Sequence, residues 1–441
     1  MQSHRHQSLE EINQSVAVPD VHQTAFWRKF LAYSGPGALV AVGYMDPGNW
    51  LTSLAGGGQF QYRLLAVLAL AIIVAMFMQG LAIRLGVVAR QDLAQAIASK
   101  LPRPVRYAAW ILNEVAMMAT DMTGVIGTAI ALKMLFGLPL LAGILLTIAD
   151  VLVVLLFLRF GIRRVEVIVL VAILTVGIIF GIEVGRAHVQ FGNVLLGLVP
   201  TPLIVKNHTA LVLSLGILGA TIMPHNLYLH SSLAQSRRYD YHNPAQVTEA
   251  LRFANWDSTV HLIAAFLINA LLLVLGGTLF FGHTNALASL QAVFDGLKST
   301  TVVGALASQV MSWLFALALL ITGLISSITS TLAGQIVMEG YLHIRLPLWQ
   351  RRLLTRAVTL IPILIIGMLV GFSDAAFENL IIYAQVALSI ALPFTLLPLV
   401  ALTNDASLMK THVNRPTVTW LGYGLAGIIT VLNIYLVYSL F

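Results

Sequence analysis

Apolar runs of about 20 residues recur along the chain and restrict its fold more than any other feature of the sequence. Of the 441 residues, 58% are hydrophobic and only 10% are charged, whereas soluble domains carry about 25% charged residues. Runs of this length cross a bilayer as helices, since a helix satisfies its own backbone hydrogen bonds in hydrocarbon. The chain is therefore predicted to be an all-α integral membrane protein.

Eleven membrane spans are predicted, and a polar segment, residues 1–33, precedes them. This segment lacks the apolar core and small-residue cleavage site of a signal peptide, so we expect a cytosolic tail. The sequence contains no cysteine, which excludes disulfides and thiolate metal ligands. The predicted spans lie near residues 34–58, 64–89, 105–135, 138–158, 165–185, 209–234, 253–281, 302–341, 353–372, 376–402 and 416–440.

The basic residues follow the alternation of the spans. Connections after even-numbered spans carry pairs such as Arg163–Arg164, Arg237–Arg238 and Arg351–Arg352. The other connections carry few basic residues, chiefly Arg63, Arg186, Lys206 and Lys298. Because cytoplasmic loops are enriched in Lys and Arg, we expect the N-terminus inside and the C-terminus outside. Topology then explains the formal net charge of +7 without binding of nucleic acid.

Two predicted spans contain residues that interrupt a helix. The first reads GYMDPGNWLT at residues 43–52, and the sixth reads GATIMPHNLYLHSS at residues 219–232. Proline removes a backbone donor, and a carboxylate such as Asp46 is costly in hydrocarbon, so each break requires burial beside a cavity. An ordinary proline kink is the alternative for either break alone.

The two breaks stand five spans apart. Because five is an odd number, spans 1–5 and 6–10 cross the membrane in opposite senses and can form inverted repeats. In that architecture two discontinuous helices meet near the bilayer midplane and form the substrate site. We therefore predict repeats at 34–185 and 209–402, a loop at 186–208 between them, and a final loop and span at 403–441.

The groups beside the two breaks suit a divalent transition metal. Asp46 offers a carboxylate, Asn49 an amide oxygen and Met223 a thioether, and unwound turns around Gly43 and Ala220 offer carbonyls. An alkaline-earth ion gains little from a thioether, so Mn²⁺ and Fe²⁺ fit this set best. Taken alone, Met223 would more often be a packing residue. Ligand type does not rank these ions against Co²⁺, Zn²⁺ and Cd²⁺.

Further segments accompany the two breaks in a fixed order. With the breaks, they are DPGN, LAGGGQFQYRLL, RLGVVARQDLAQAI, MATDMTGVIGTAIAL, MPHNLYLHSS, LAGQIVMEGYLHIRLP and QVALSIALPF. Together they resemble the Nramp family of proton-coupled manganese and iron transporters, in its bacterial form. The resemblance implies a LeuT-type fold of 5+5 inverted repeats plus an eleventh helix. It also implies metal import by proton symport and alternating access across the cytoplasmic membrane.

The resemblance implies a metal site built from both breaks and from the tenth span. Its members are Asp46, Asn49, Met223, Ala220, Gly43 and Gln385. Gly43 and Ala220 contribute carbonyls, and Gly43 stands where the family commonly has alanine. Gln385 matches a family glutamine that approaches the ion in some states, and a packing hydrogen bond is its alternative role.

Ionisable residues inside the spans supply a predicted proton route. Asp46 can carry a proton while the metal moves, and His225 titrates near neutral pH and can join it. Glu114 and Asp121 are seven residues apart and therefore lie on one helical face. The resemblance places Asp121 on a proton exit route with an arginine of the ninth span, of which Arg356 lies deepest. A static ion pair is the alternative.

Two departures from the family pattern concern coupling. Gly124 stands three residues beyond Asp121, where the family usually has a second acid. Leu324 and Ile325 stand where it tends to place glutamine and serine. We therefore expect metal specificity to be retained while proton stoichiometry or tightness of coupling differs.

Other functions share parts of this pattern. A weakly coupled or uncoupled metal uniporter is the nearest alternative, and Met223 argues against a magnesium carrier. A sodium-coupled amino-acid symporter has the same scaffold, but Asp46 would repel the carboxylate of its substrate. We expect no enzymatic activity and no cofactor. The expected partners are the metal ion, protons and the lipid bilayer, with no nucleic acid, and we expect a monomer.

Overall fold

The computed structural model describes residues 12–18, 25–150, 152, 156, 160–283, 287, 289–343 and 346–440. This described part of the chain is almost entirely α-helical. Parts of the predicted tail, residues 1–11 and 19–24, lie outside it. Within it, nine helices are long and apolar enough to cross a membrane: Leu65–Ala89, Arg103–Phe136, Ile162–Arg186, His208–Leu233, Pro244–Leu279, Gln309–Leu342, Trp349–Leu369, Asp374–Thr403 and Pro416–Tyr438.

These nine helices correspond to nine of the eleven predicted spans. The first predicted span is instead divided into the helices Pro36–Gly43 and Pro47–Phe60. The fourth predicted span, 138–158, is described only in part and contains a shorter apolar helix, Leu140–Ala149. The total of eleven spans therefore stays a prediction.

The α-helices have the following bounds in chain order. They are α1 (Phe26–Tyr33), α2 (Pro36–Gly43), α3 (Pro47–Phe60), α4 (Leu65–Arg84), α5 (Leu93–Lys100), α6 (Arg103–Phe136), α7 (Leu140–Leu146), α8 (Ile162–Arg186), α9 (Phe191–Gly197), α10 (Leu203–Lys206), α11 (His208–Thr221), α12 (Pro224–Leu233), α13 (Pro244–Leu279), α14 (Leu290–Gly296), α15 (Thr300–Val303), α16 (Gln309–Leu342), α17 (Leu348–Val370), α18 (Asp374–Ala391), α19 (Pro393–Thr403), α20 (Ala406–Met409) and α21 (Pro416–Leu440). A π-helical turn, Leu85–Ala89, extends α4, and 3₁₀ turns occupy Thr147–Ala149, Gly304–Leu306 and Lys410–His412.

Two very short strands join the tail to the connection between the sixth and seventh spans. Val16–Ala17 pairs in parallel with Arg237–Arg238, and Val16 lies opposite Arg237. This pairing holds a part of the tail against the helical core.

Two helices begin seven or more residues from the predicted positions, and one further predicted span is divided. The seventh span begins at Pro244, nine residues before the predicted 253, because Asn243 caps the helix and Pro244 takes its first position. The eighth begins at Gln309 instead of 302, since a 3₁₀ turn precedes it. The tenth is divided at Leu392, where Pro393 starts a new helix.

A buried polar cluster holds the start of α2 against α8 and α13. The Asp257 carboxylate accepts hydrogen bonds from the backbone N–H groups of Gly35 at 3.0 Å and Gly37 at 2.7 Å. Arg237 donates to both carboxylate oxygens of Glu166, at 2.6 and 3.0 Å, and to the Ser34 carbonyl at 2.6 Å. The first half of the broken helix is thus fixed at its N-terminus by ionic partners from two other helices.

Removal of the Glu166 carboxylate is expected to destabilise the fold strongly. The Glu166→Ala substitution leaves the Arg237 guanidinium buried without its carboxylate partner. Breaking a buried pair in this way costs about 3–5 kcal/mol, so thermal unfolding in detergent should begin at a clearly lower temperature. The matched control is Lys100→Ala, which breaks the solvent-exposed pair with Asp405 without removing a helix cap and should change stability little. Equal unfolding temperatures of Glu166→Ala and wild type would contradict a stabilising role of the Glu166–Arg237 pair.

Candidate metal-binding site

The first break joins α2 to α3. α2 ends at Gly43, and α3 begins with Pro47 at its first position, where the missing N–H of proline costs nothing. Asp46 is the N-cap of α3 in an extended conformation, and its Oδ1 accepts a hydrogen bond from the Asn49 N–H at 3.0 Å. The acid therefore also serves as the cap that starts the second half-helix.

The second break joins α11 to α12 in the same way. α11 ends at Thr221, Met223 is the extended N-cap of α12, and Pro224 takes the first helical position. The Met223 side chain makes no capping hydrogen bond and is 1% exposed. The prediction of two interrupted helices at 43–52 and 219–232 thus agrees with the helix bounds.

The prolines of the two breaks act on carbonyls four residues earlier. In a continuous helix the carbonyl of residue 43 would accept from the N–H of residue 47, and that of residue 220 from residue 224. Pro47 and Pro224 have no N–H, so Gly43 and Ala220 lose their usual helical donors. These are the two carbonyls that the sequence analysis assigned to the metal.

Neighbouring carbonyls at the first break are already occupied. The Trp50 indole N–H donates to the Met45 carbonyl at 3.0 Å, and the Asn269 amide donates to the Tyr44 carbonyl at 2.6 Å. The Trp50 ring also packs against Phe180, with 4.9 Å between ring centroids. These contacts fix the backbone of residues 44–45.

The Asp46 carboxylate is fully buried and has three hydrogen-bond donors around it. Besides the Asn49 N–H, the Thr123 hydroxyl donates to Oδ2 at 3.1 Å and the Gln385 amide at 3.3 Å. Gln385 can approach because residue 48 is glycine: a Cβ at Gly48 would lie 2.1 Å from the Gln385 Nε2. The structure therefore brings Gln385 of the tenth span to the first break, and its role as a ligand stays a prediction.

The Asn49 side chain is buried, and neither its amide oxygen nor its amide nitrogen has a hydrogen-bond partner among the described residues. Buried polar atoms are rarely left unpaired, because each costs free energy. A bound cation would satisfy the Asn49 oxygen. The described residues contain no cluster of three or more His, Cys, Asp or Glu side chains that could hold a metal, so any metal here would rely on neutral donors beside Asp46.

Hydroxyl groups of α6 link His225 to the surroundings of Asp46. The His225 Nδ1 lies 3.2 Å from the Thr120 hydroxyl, and Thr123, one turn further along α6, donates to Asp46. His225 is fully buried, and its Nε2 has no hydrogen-bond partner in the part of the chain that the structure describes. The two predicted proton-route residues are thus bridged by one helix.

The structure resolves which arginines of the ninth span face the acids of α6. Arg351 pairs with Glu114 at 2.6 Å, whereas Arg356 lies 3.3 Å from Asp121. Asp121 also accepts a hydrogen bond from the Ser330 hydroxyl at 3.0 Å. The structure thus places Arg356 beside Asp121, a pairing that the sequence left open.

Sequence reasoning missed a second acid beside Arg356. The Arg356 guanidinium also contacts the Asp150 carboxylate and the Ser327 hydroxyl, and Ser327 donates to Asp150 at 2.9 Å. An acid inside the fourth predicted span was the available signal, because buried carboxylates in membranes are usually paired. Thr120 and Thr123 carried no comparable signal, since hydroxyl residues are common in membrane helices.

Gly124, the departure from the family pattern, faces α16. A Cβ there would lie 3.5 Å from the Gly323 carbonyl and 3.8 Å from the Ser326 hydroxyl, which are ordinary contacts. The backbone at this position therefore leaves room for a side chain to begin, and the missing acid is not excluded by a close approach of helices.

The interrupted helices, the buried donors between them and the all-helical fold define a membrane transporter of the LeuT-type inverted-repeat class. Residues 37–439 match the family model described as natural resistance-associated macrophage protein-like, Nramp. The chain belongs to the Nramp family, which confirms the resemblance inferred from the sequence.

Individual relatives agree with this assignment. The divalent metal cation transporter MntH of Lacticaseibacillus casei (strain BL23) is 46% identical over 430 residues, which cover 98% of this chain and 93% of that protein. The crystal structure of the Eremococcus coleocola manganese transporter in complex with an aromatic bis-isothiourea substituted compound superimposes with a TM-score of 0.94 at 42% identity, covering 98% and 91% of the two chains.

A more distant structure shares the fold alone. It is a nucleobase-cation-symport-1 family transporter with bromovinylhydantoin bound, with a TM-score of 0.54 and 15% identity over 92% of this chain and 91% of that chain. The fold class predicted from the sequence is therefore confirmed.

Proposed function

We propose that the chain imports divalent transition-metal ions, Mn²⁺ foremost, across the bacterial cytoplasmic membrane by proton symport with alternating access. The observation that carries this proposal is the fully buried Asp46 carboxylate at the first break, beside the unpaired Asn49 amide. The names of the relatives, a divalent metal cation transporter and a manganese transporter, support the same substrate class.

The proposed site combines hard and soft donors. Asp46 and Asn49 supply oxygens from the first break, Met223 supplies a thioether from the second, and Gly43 and Ala220 supply the carbonyls released by the prolines. Oxygen donors suit Mn²⁺ and Fe²⁺, and a thioether disfavours Mg²⁺ and Ca²⁺. Gln385 joins this set through its contact with Asp46, and Co²⁺, Zn²⁺ and Cd²⁺ are further substrates under the same chemistry.

Protons are proposed to move beside the metal. Asp46 exchanges a proton for the cation, and the α6 hydroxyls connect it to His225. The route then continues through Asp121 with Arg356 and through Glu114 with Arg351. Asp121 and Glu114 each have a fixed cationic partner, which lowers the cost of holding a charge inside the membrane.

We further propose that the N-terminus lies in the cytoplasm and the C-terminus outside, because basic pairs concentrate in the connections after even-numbered spans. One copy of the chain contains both breaks, so a monomer is sufficient for transport.

Wild-type protein in proteoliposomes is expected to accumulate Mn²⁺ when the outside is more acidic than the lumen. The measurement is metal uptake over time, with protein-free vesicles as the control. Mg²⁺ added in large excess should not compete, because the proposed site contains a thioether. Failure to transport any divalent transition metal would refute the proposed function.

Mn²⁺ entry should acidify the vesicle lumen if the symport proposal is correct. Measuring metal and proton fluxes at several membrane potentials gives the proton-to-metal ratio, which we expect to be lower in wild type than in Gly124→Glu. The reason is that position 124 has no acid in wild type although a Cβ fits there, and a second acid adds a proton acceptor. Gly124→Gln is the uncharged control. Metal entry without proton movement would contradict the symport proposal and favour the uniporter.

A further inference from the structure

The two breaks share a sequence pattern that includes one residue without an assigned role. Asp46-Pro-Gly-Asn49 in the first break corresponds to Met223-Pro-His-Asn226 in the second, and in each the first residue is the N-cap and proline follows it. Asn49 and Asn226 both take the third helical position. A side chain at that position can reach back toward the N-cap, so each asparagine lies on the side of its proposed ligand.

Asn226 also shares the unusual hydrogen-bonding state of Asn49. It is fully buried, and neither its amide oxygen nor its amide nitrogen has a hydrogen-bond partner in the described residues. An unpaired buried amide destabilises the folded state, so such groups are rare in folded proteins. Two such amides at equivalent positions of the two breaks indicate a common ligand.

Asn226 reaches across from the second break to the first. A Cβ added to Gly43 would lie 2.3 Å from the Asn226 Oδ1 and 2.5 Å from its Nδ2. The Asn226 amide therefore packs against the Gly43 Cα, on the residue whose carbonyl loses its helical donor to Pro47. Only glycine at position 43 leaves this space open for the amide.

We propose that Asn226 Oδ1 is a further ligand of the transported metal, the second-repeat counterpart of Asn49, and that Gly43 admits it to the site. This inference rests on the proposed function. A neutral oxygen favours Mn²⁺, which prefers oxygen donors, more than it favours a softer ion such as Cd²⁺. Asn226 therefore tunes the site toward Mn²⁺.

Calorimetric titration of the purified full-length protein with Mn²⁺ and Cd²⁺ tests the proposal. Asn226→Ala should weaken Mn²⁺ binding by about tenfold, at the lower end of the 10–100-fold range seen for partners of metal sites. Cd²⁺ binding should change less, because the thioether of Met223 remains. Asn226→Asp, which adds a charge at the same shape, should strengthen binding of both ions. Equal Mn²⁺ affinity of Asn226→Ala and wild type would overturn the proposal.

A double-mutant cycle with Gly43→Ala separates a ligand from a packing residue. In the wild-type background, the new methyl group displaces the Asn226 amide and should weaken Mn²⁺ binding. In Asn226→Ala the same change should have no further effect, and additive losses would overturn the proposal. Asn433→Ala, a buried asparagine of α21 that donates to the Ser389 carbonyl, is the control and should bind both metals normally.

The same titrations distinguish failure of this inference from failure of the proposed function. Asp46→Ala should bind neither ion, whereas unchanged binding by Asp46→Ala would show that the metal lies elsewhere and would overturn both proposals. Loss in Asp46→Ala with normal binding in Asn226→Ala would overturn the role of Asn226 alone. Cd²⁺ binding by Asn226→Ala shows that the variant is folded.

Discussion

Replacement of Asp46 by alanine is expected to abolish Mn²⁺ uptake into proteoliposomes. Asp46 is the only acidic residue in the two break segments, 43–49 and 220–226, so its loss leaves a divalent cation with neutral ligands only. Since even indirect partners of a metal site change affinity by about 10–100-fold, we expect loss of this ligand to lower uptake by about 100-fold or more. Initial rates at sub-saturating Mn²⁺ measure the effect.

Asp46→Asn separates the charge of residue 46 from its role as a helix cap. Asparagine is also a good N-cap, so this variant should keep the start of α3 and melt close to wild type. Its uptake should nevertheless be as poor as that of Asp46→Ala. Robust uptake by either variant would rule out the proposed mechanism.

Replacement of Met223 by alanine is expected to relax the discrimination of the site against Ca²⁺ and Mg²⁺. The thioether contributes little to alkaline-earth binding, so its removal weakens the transition metals selectively. We expect the preference for Cd²⁺ over Ca²⁺ to fall by about tenfold, which corresponds to ~1.4 kcal/mol. Competition of each ion with Mn²⁺ uptake provides the measurement.

Met223→Leu and Met311→Ala are the matched controls for this experiment. Leucine keeps most of the apolar volume without the sulfur, so Met223→Leu should lose selectivity as Met223→Ala does. Met311 is buried to a similar degree but lies near the start of α16, away from both breaks, and its replacement should leave selectivity unchanged. Unaltered ion preference in Met223→Leu would show that residue 223 acts by packing.

Features determined by local sequence were the ones that could be predicted. Apolar runs defined the spanning helices because length and hydropathy alone decide whether a helix can cross a membrane. The two breaks could be predicted in the same way, since a proline such as Pro47 or Pro224 removes a backbone donor in any helix. The division of the tenth span at Pro393 followed the same rule, but residues 385–395 contain no charged residue that would have marked it.

Contacts between distant helices were harder to predict. The Asp150 carboxylate contacts Arg356 although the two residues are 206 positions apart in the sequence. Nothing in the local pattern around either residue specifies that contact. The same holds for the Thr123 hydroxyl beside Asp46 and for Asn226 over Gly43. Such pairings depend on the rotation of each helix about its axis, which many small packing contacts decide together.

Two of the proposed ligands, the carbonyls of Gly43 and Ala220, are free because Pro47 and Pro224 have no N–H, and this has a genetic consequence. A backbone oxygen belongs to every amino acid, so no exchange of the side chain at position 43 or 220 deletes it. Each carbonyl is kept free by the proline four residues later, because any other residue at 47 or 224 would supply an N–H that can form a helical hydrogen bond with it. Variation among natural sequences should therefore be tolerated at 220 while selection acts on the two prolines.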